Sequence, residues 1–93
     1  MHKIWQCELN FNLYQQVQFF PEGAVPLTAQ LSKDFVKVWV KVDPDKPTKS
    51  MAFQLFWTGQ DIPDGLVYIG TVQHPISGLV GHVYYEKENP SSA

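Results

Sequence analysis

A chain of 93 residues, 44% of them hydrophobic and 14% aromatic, is long enough for one domain with a single core and too short for two. Its net charge is −2 and it contains no arginine, which argues against a protein whose main ligand is a phosphate backbone. The single cysteine, Cys7, excludes an intramolecular disulfide bond and a multi-cysteine metal site. No apolar stretch resembles a secretory or transmembrane segment, so we expect a protein of a reducing cytoplasm without membrane contact.

The first half of the chain predicts four strands separated by short turns. Residues 4–11 and 25–31 each alternate apolar with polar side chains, which indicates strands with one buried face. Residues 15–20 form a shorter apolar run that ends at a turn over residues 21–24. The clearest strand is predicted at residues 35–42, where four valines share one face and the other face holds Phe35, Lys37, Trp39 and Lys41.

The second half predicts one long loop and three more strands. Residues 43–50 are rich in aspartate, proline and lysine and predict the longest loop of the chain. Strands are predicted at residues 51–58, 66–73 and 79–87, and residues 88–93 are predicted to be a frayed polar tail. No window of eleven residues shows a helical period, so we expect little or no helix, with a short turn of helix at residues 12–16 as the one alternative.

These patterns predict an all-β protein with a single domain over residues 1–87. We expect about seven short, mostly antiparallel strands joined by hairpin-like loops, because parallel strands need long crossover connections. An open sheet of seven strands would leave an apolar face in water, so the strands should form a small barrel or a two-sheet sandwich. A thin core and exposed edge strands also favour a homo-oligomer.

No arrangement of residues predicts catalysis, and we expect neither an enzyme nor a bound metal or cofactor. Cys7 is predicted to lie on the apolar face of the first strand, where its thiol stays protonated and unreactive. Four loop carboxylates fit turn chemistry better than acid–base catalysis or cation binding. They are Asp43, Asp45, Asp61 and Asp64.

The three histidines lack the close paired spacing of a zinc site. His2 is terminal and His74 lies in a loop before a proline. His82 alternates with apolar residues on the last strand, which predicts a sheet residue hydrogen-bonded to a neighbour rather than a metal ligand or general base.

One face of the predicted strand at residues 35–42 is a candidate binding surface. Lys37 and Lys41 flank Trp39, and interleaved aromatic and lysine side chains are one way in which sheets hold single-stranded nucleic acid. Trp57, with Phe56 beside it, is expected to extend this surface. The alternative is that the lysine stems only cover Trp39 on a solvated face. The acidic total charge disfavours nucleic acid.

Several short segments spread over residues 3–86 together form a signature. They are Lys3-Ile4-Trp5, Pro21-Glu22-Gly23-Ala24, Val42-Asp43-Pro44, Thr58-Gly59, Tyr68-Ile69-Gly70-Thr71 and Leu79-Val80 followed by His82-Val83. This signature resembles a family of small, uncharacterised proteins of tailed bacteriophages. Relatives in that family often have Gly-Thr-Gly-His where this chain has residues 57–60. A chemical role of that histidine would be absent here, because Gln60 does not titrate.

The resemblance implies a phage origin and expression in the cytoplasm of a bacterial host, and it supplies no established activity. We expect a non-enzymatic accessory protein of host takeover or counter-defence that blocks a host protein or sequesters a small nucleotide ligand. The alternatives are a module that binds single-stranded nucleic acid and a minor structural protein of the virion. The side chains expected to contact a ligand or partner are Lys37, Trp39, Lys41, Trp57, Gln60 and His82.

Overall fold

The structure is a computed structural model that describes residues 1–12 and 14–87. This part of the chain contains seven strands and no helix. The strands are β1 (Lys3–Asn10), β2 (Gln15–Pro21), β3 (Val25–Ser32), β4 (Phe35–Val42), β5 (Thr48–Trp57), β6 (Leu66–Gln73) and β7 (Val80–Glu86). They form two antiparallel sheets, with strand orders β1-β4-β3 and β2-β5-β7-β6. The predicted all-β class is confirmed, and the strands form a sandwich rather than a closed barrel.

The connections between strands differ from the predicted chain of hairpins. Only β3–β4 and β6–β7 are hairpins in which consecutive strands pair. The β1–β2, β2–β3 and β4–β5 connections pass from one sheet to the other, and β6 lies beside β7 instead of β5. Because these connections cross between sheets, consecutive strands bury their apolar faces against each other. Loop length alone does not show whether a connection crosses to the other sheet or forms a hairpin.

Two local predictions are also wrong. The loop predicted at residues 43–50 is shorter, because β5 begins at Thr48, which pairs with Pro21 of β2. The first three residues of β5 are polar and exposed, so they show none of the alternation by which the rest of the strand was recognised. The alternative helix at residues 12–16 is absent, since residues 15 and 16 belong to β2. The predicted tail at residues 88–93 lies outside the described residues.

The core lies between the two sheets, and the valine face of β4 forms its centre. Val36, Val38, Val40 and Val42 are all buried, as their alternation predicts. The opposite sheet supplies Phe53, Leu55 and Val83 among other buried side chains. Burying each such side chain stabilises the fold by about 1.5–3 kcal/mol, so this contact between β4 and the four-stranded sheet holds the sandwich together.

Side chains connect the sheets where β1 meets β2. The Gln16 side chain bridges the backbone of Asn10, accepting from its N–H at 2.7 Å and donating to its carbonyl oxygen at 2.9 Å. Gln18 donates from Nε2 to the Glu8 carbonyl oxygen at 3.1 Å. At the opposite edges of the sheets, Gly70 of β6 packs closely against Ala29 of β3. Within the described residues, no helix has both the length and the apolar character needed to cross a membrane.

Candidate functional site

The outer face of the three-stranded sheet holds three of the side chains that the sequence suggested for binding. Lys37, Trp39 and Lys41 alternate along β4 and point away from the buried valines. Glu8 of β1 is the cross-strand partner of Lys37. Lys37 and Trp39 are half-buried and Lys41 is exposed. These three residues therefore share one surface, as their spacing predicts, and a carboxylate lies in the same row.

The other tryptophan of the suggested set lies elsewhere. Trp57 ends β5 in the four-stranded sheet and packs inward, with its ring edge-on to Phe11 at a centroid separation of 5.3 Å. It does not extend the Trp39 surface, because the two rings belong to different sheets and Trp57 faces the core. The Gln60 side chain accepts a 2.7 Å hydrogen bond from the Trp57 N–H, so Gln60 closes the turn after β5.

His82 lies at the centre of a hydrogen-bonded chain on the outer face of the four-stranded sheet. Its Nε2 is 2.8 Å from Thr58 Oγ1, and its Nδ1 is 2.9 Å from Thr71 Oγ1. Thr71 Oγ1 is in turn 2.6 Å from the Tyr68 hydroxyl oxygen. The predicted bonding of His82 to its neighbours is confirmed. We call these four side chains the His82 network; three of them were missed from the sequence.

A β-bulge in β6 makes the His82 network possible. Tyr68 pairs with Tyr84 and Thr71 pairs with His82, and the register shifts by one residue between Tyr68 and Gly70. In a regular strand, residues three apart point to opposite faces. The extra residue of the bulge turns Tyr68 and Thr71 to the same face. Gly70 inside the strand is the sequence signal that could have indicated this bulge, whereas the spacing of Tyr68 and Thr71 alone gave no hint of their contact.

Four aromatic rings lie in edge-to-face contact across the same outer face. The Phe56 ring contacts Tyr14 at 5.4 Å on one side and Tyr84 at 5.6 Å on the other, and Tyr84 contacts Tyr68 at 5.4 Å. Phe56 is only 1% exposed although it points away from the core, because its aromatic neighbours cover it. We call Tyr14, Phe56, Tyr84 and Tyr68 the aromatic row; edge-to-face pairs of this kind add about 0.5–1.5 kcal/mol each.

The β2 side of this face exposes large apolar side chains. Tyr14, Val17 and Phe19, which we call the β2 strip, are 52%, 52% and 67% exposed. The strand pairings place Val17 and Phe19 on the outer face, opposite the inward-facing Phe20. Among the strand residues that the structure describes on this face, Glu86 alone has a permanent charge. The two outer faces of the sandwich therefore differ: one presents lysines, and the other, which we call the neutral face, is aromatic and has a single carboxylate and no lysine among its described strand residues.

The whole chain matches one family. Residues 1–93 match the family model described as a domain of unknown function, DUF7352. This chain belongs to the DUF7352 family. No curated protein and no solved structure matches it significantly. The membership confirms the expectation of a family without an established activity, while the phage origin stays a prediction.

A cleft of about 410 Å³ opens in this DUF7352 domain beside the turn between β2 and β3. Phe20 and Met51 supply apolar lining, and the charged lining includes Glu22 and Lys49, whose side chains lie 3.4 Å apart. Neither Trp39 nor Trp57 lines the cleft. The cleft contains Lys49 and Lys87, but none of the six side chains expected to contact a ligand lines it.

Two further titratable side chains of the DUF7352 domain, His74 and Asp43, form hydrogen bonds with nearby groups. His74 Nδ1 accepts hydrogen bonds from the Ile76 and Ser77 N–H groups, and its Nε2 is 3.0 Å from Asp34 Oδ1. The Asp43 carboxylate accepts from the N–H two residues later, which is turn chemistry as predicted. Within residues 1–12 and 14–87, no three His, Cys, Asp or Glu side chains are grouped closely enough to hold a metal ion.

Cys7 is half-buried on the inner face of β1. Burial raises the pKa of its thiol from 9.0 to about 11, because desolvation disfavours the thiolate. The prediction of a protonated thiol is therefore confirmed. Since the thiolate is the nucleophile, Cys7 is not placed to form a covalent intermediate at neutral pH.

Proposed function

We propose that this DUF7352 domain is a non-enzymatic binding protein that docks on a partner protein through the outer face of its four-stranded sheet. The observation that supports this best is the β2 strip, where three large apolar side chains are each more than half exposed. Contiguous exposed apolar surface marks interaction sites. The centres of protein interfaces are also depleted in charge and enriched in aromatic residues, which fits the rest of this face.

The partner that we propose is a protein of a bacterial host. The support for this step is the resemblance of the chain to small proteins of tailed bacteriophages, which often act by occupying host proteins. In this proposal the domain acts in host takeover or counter-defence in the host cytoplasm. It does so by blocking a surface of the partner protein. A small nucleotide ligand is less well supported, because the neutral face offers no cation for a phosphate among its described residues.

The test is a pull-down from a lysate of the bacterial host with the wild type and two variants. Phe19→Ser removes the most exposed side chain of the β2 strip, and Lys37→Gln/Lys41→Gln changes the opposite face as a matched control. We expect one host protein to be retained by the wild type and the lysine variant and lost with Phe19→Ser. Calorimetry with that purified protein should show that Phe19→Ser lowers the binding affinity by about tenfold or more, as is typical of a central interface residue.

Two results would contradict this proposal. One is that every captured protein is retained equally by Phe19→Ser, which would remove the β2 strip from the interface. The other is that capture depends on Lys37 and Lys41 and not on Phe19, which would move the interface to the three-stranded sheet.

Binding of single-stranded nucleic acid is the second candidate function. The observation that favours it is the row of Lys37, Trp39 and Lys41 on one outer face, with the exposed ring of Phe35 further along the same strand. The test is fluorescence anisotropy with a labelled oligonucleotide at two salt concentrations. If this candidate is correct, affinity falls steeply with salt and Lys37→Gln/Lys41→Gln weakens it at low salt. Salt-independent or absent binding would eliminate it.

A further inference from the structure

We propose that the His82 network and the exposed ring of Tyr68 form a binding subsite for a neutral saccharide. This site lies on the β6–β7 side of the four-stranded sheet, whereas the β2 strip lies on the opposite side, with β5 between them. It goes beyond the proposed docking function and does not depend on it.

The first argument is the balance of hydrogen-bond donors within the His82 network. With a neutral imidazole, each of the four side chains contributes one donor hydrogen, and each also has at least one acceptor lone pair. The three contacts inside the network use three of the four hydrogens. One donor hydrogen and several lone pairs are therefore left for a molecule outside the network.

The second argument is that the direction of these hydrogen bonds is not fixed by the protein. If His82 Nδ1 accepts from Thr71, then Nε2–H donates to Thr58, and the free hydrogen is on Thr58. If instead Nε2 accepts from Thr58, then Nδ1–H donates to Thr71, and the free hydrogen is on Thr71 or Tyr68. A ligand with hydroxyl groups complements both arrangements, because every hydroxyl can donate and accept. Saccharides present rows of such groups.

The third argument is the ring of Tyr68 beside the network. Tyr68 is 54% exposed, and its own hydroxyl is the end of the hydrogen-bonded chain. Its ring is held by an edge-to-face contact with the neighbouring Tyr84 ring, at a centroid separation of 5.4 Å and an interplanar angle of 64°. A fixed, exposed aromatic ring packs against the C–H face of a pyranose, and the ordering cost of binding is small because the ring is already held.

The fourth argument is charge. Among the described strand residues of this face there is no lysine or arginine to meet a phosphate or carboxylate, and Glu86 would repel an anionic ligand. A nucleotide, a sugar phosphate and an acidic sugar are therefore poor matches. A neutral saccharide needs only the hydroxyl, imidazole and aromatic groups that are present.

The experiment is a ¹H–¹⁵N NMR titration of the full chain with neutral saccharides: glucose, galactose, mannose, N-acetylglucosamine and their short oligomers. We expect at least one to shift the amide signals of β6 and β7 around Tyr68, Thr71 and His82, with a dissociation constant in the millimolar range or below. Thr71→Val preserves the side-chain shape and removes the hydroxyl, and Tyr68→Ala removes the ring. Each should weaken binding by about fivefold or more, while Phe19→Ser should leave it unchanged.

Three outcomes would overturn the proposal. The first is no localised shift with any of these saccharides up to about 50 mM, a concentration that would reveal even weak binding. The second is binding that survives both Thr71→Val and Tyr68→Ala unchanged. The third is a stronger response to glucose 6-phosphate than to glucose, which would indicate an anion site. Thr71→Val is the decisive variant if Tyr68→Ala perturbs signals throughout the protein.

Discussion

The Tyr68 hydroxyl oxygen lies 2.6 Å from Thr71 Oγ1, although the two residues are three positions apart on one strand. Only the register shift in β6 allows this contact, because a regular strand would send them to opposite faces. The bulge also leaves Gly70 facing Ala29 of the other sheet. One irregularity thus serves both the packing between the sheets and the polar groups on the surface.

We expect Phe53→Ala and Phe19→Ala to differ sharply in stability, although both remove a phenyl ring from neighbouring strands. Phe53 is fully buried in the core, so its removal should lower the free energy of unfolding by about 3–5 kcal/mol. Phe19 faces solvent, and removal of its ring should change the free energy of unfolding by less than about 0.5 kcal/mol. Urea unfolding followed by tryptophan fluorescence measures both. Equal losses would mean that the Phe19 ring is as buried as that of Phe53, which would contradict its place on the outer face.

Two glycine substitutions test the packing at two points on the inner face of the four-stranded sheet. An alanine Cβ at Gly81 would lie 3.1 Å from Phe11 Cε2, and that buried ring is held by Trp57. Gly81→Ala should therefore destabilise the protein by about 1–3 kcal/mol through overpacking. Gly70→Ala is the matched control, because its Cβ would meet Ala29 at an ordinary 3.8 Å.

Gly70→Ala is expected to leave stability unchanged or to raise it by up to about 1 kcal/mol, since alanine restricts the unfolded chain. Thermal unfolding of both variants and the wild type gives the comparison. A loss at Gly70 as large as that at Gly81 would show that the sheets approach more closely near Ala29 than a separation of 3.8 Å allows.

Gln16→Ala should weaken the connection between β1 and β2. The substitution removes both hydrogen bonds to the Asn10 backbone and leaves that N–H and carbonyl group without them. We expect a loss of about 1–2 kcal/mol, and faster hydrogen exchange at the Asn10 amide. Gln15→Ala, whose side chain points to the outer face, is the control and should have little effect. Unchanged exchange at Asn10 in Gln16→Ala would refute the bridging role.

The thiol of Cys7 predicts a pH dependence of stability with a defined sign. The unfolded chain loses the thiol proton near pH 9.0 and the folded chain near pH 11, because burial raises the pKa in the folded state. Between these values the unfolded state binds fewer protons, so stability is unaffected below pH 9 and falls as the pH rises toward 11.

The measurement is the urea midpoint of the wild type and Cys7→Val from pH 8 to pH 10.5. The two proteins have every other ionisable group in common, so the difference between their midpoints isolates the thiol. The wild type should lose stability relative to the variant only above about pH 9. A difference that stays constant with pH would mean that Cys7 is solvated. Slow modification of the native thiol by a disulfide reagent at pH 8 should accompany the expected result.

The strands were predictable because their side-chain alternation is a local property. The four buried valines of β4 show the period of two without interruption, and β1 and β3 follow from the same signal. The assignment of strands to sheets was not predictable, because crossing to the other sheet and turning back in a hairpin use loops of similar length. For this reason Trp57, which shares the aromatic character of Trp39, was placed on the wrong sheet.

The candidate site was predicted only in part. His82 was recognised, and its hydrogen bonding was expected, because it alternates with apolar residues on a strand. Its partners Thr58 and Thr71 lie 24 and 11 positions away, on strands or turns whose pairing was unknown. The aromatic row was missed for the same reason, since only the strand order brings Tyr14, Phe56 and Tyr84 together.

The outer faces of the two sheets point in opposite directions. Two molecules could therefore occupy the chain at the same time, one against Lys37, Trp39 and Lys41 and the other against the neutral aromatic face, without overlapping. The two bound molecules would be separated by the thickness of the sandwich. That thickness is roughly 10 Å between the two sheets, plus the depth of the outward-facing side chains. The fold thus keeps the two surfaces independent, so that a molecule bound on one of them leaves the other exposed to solvent.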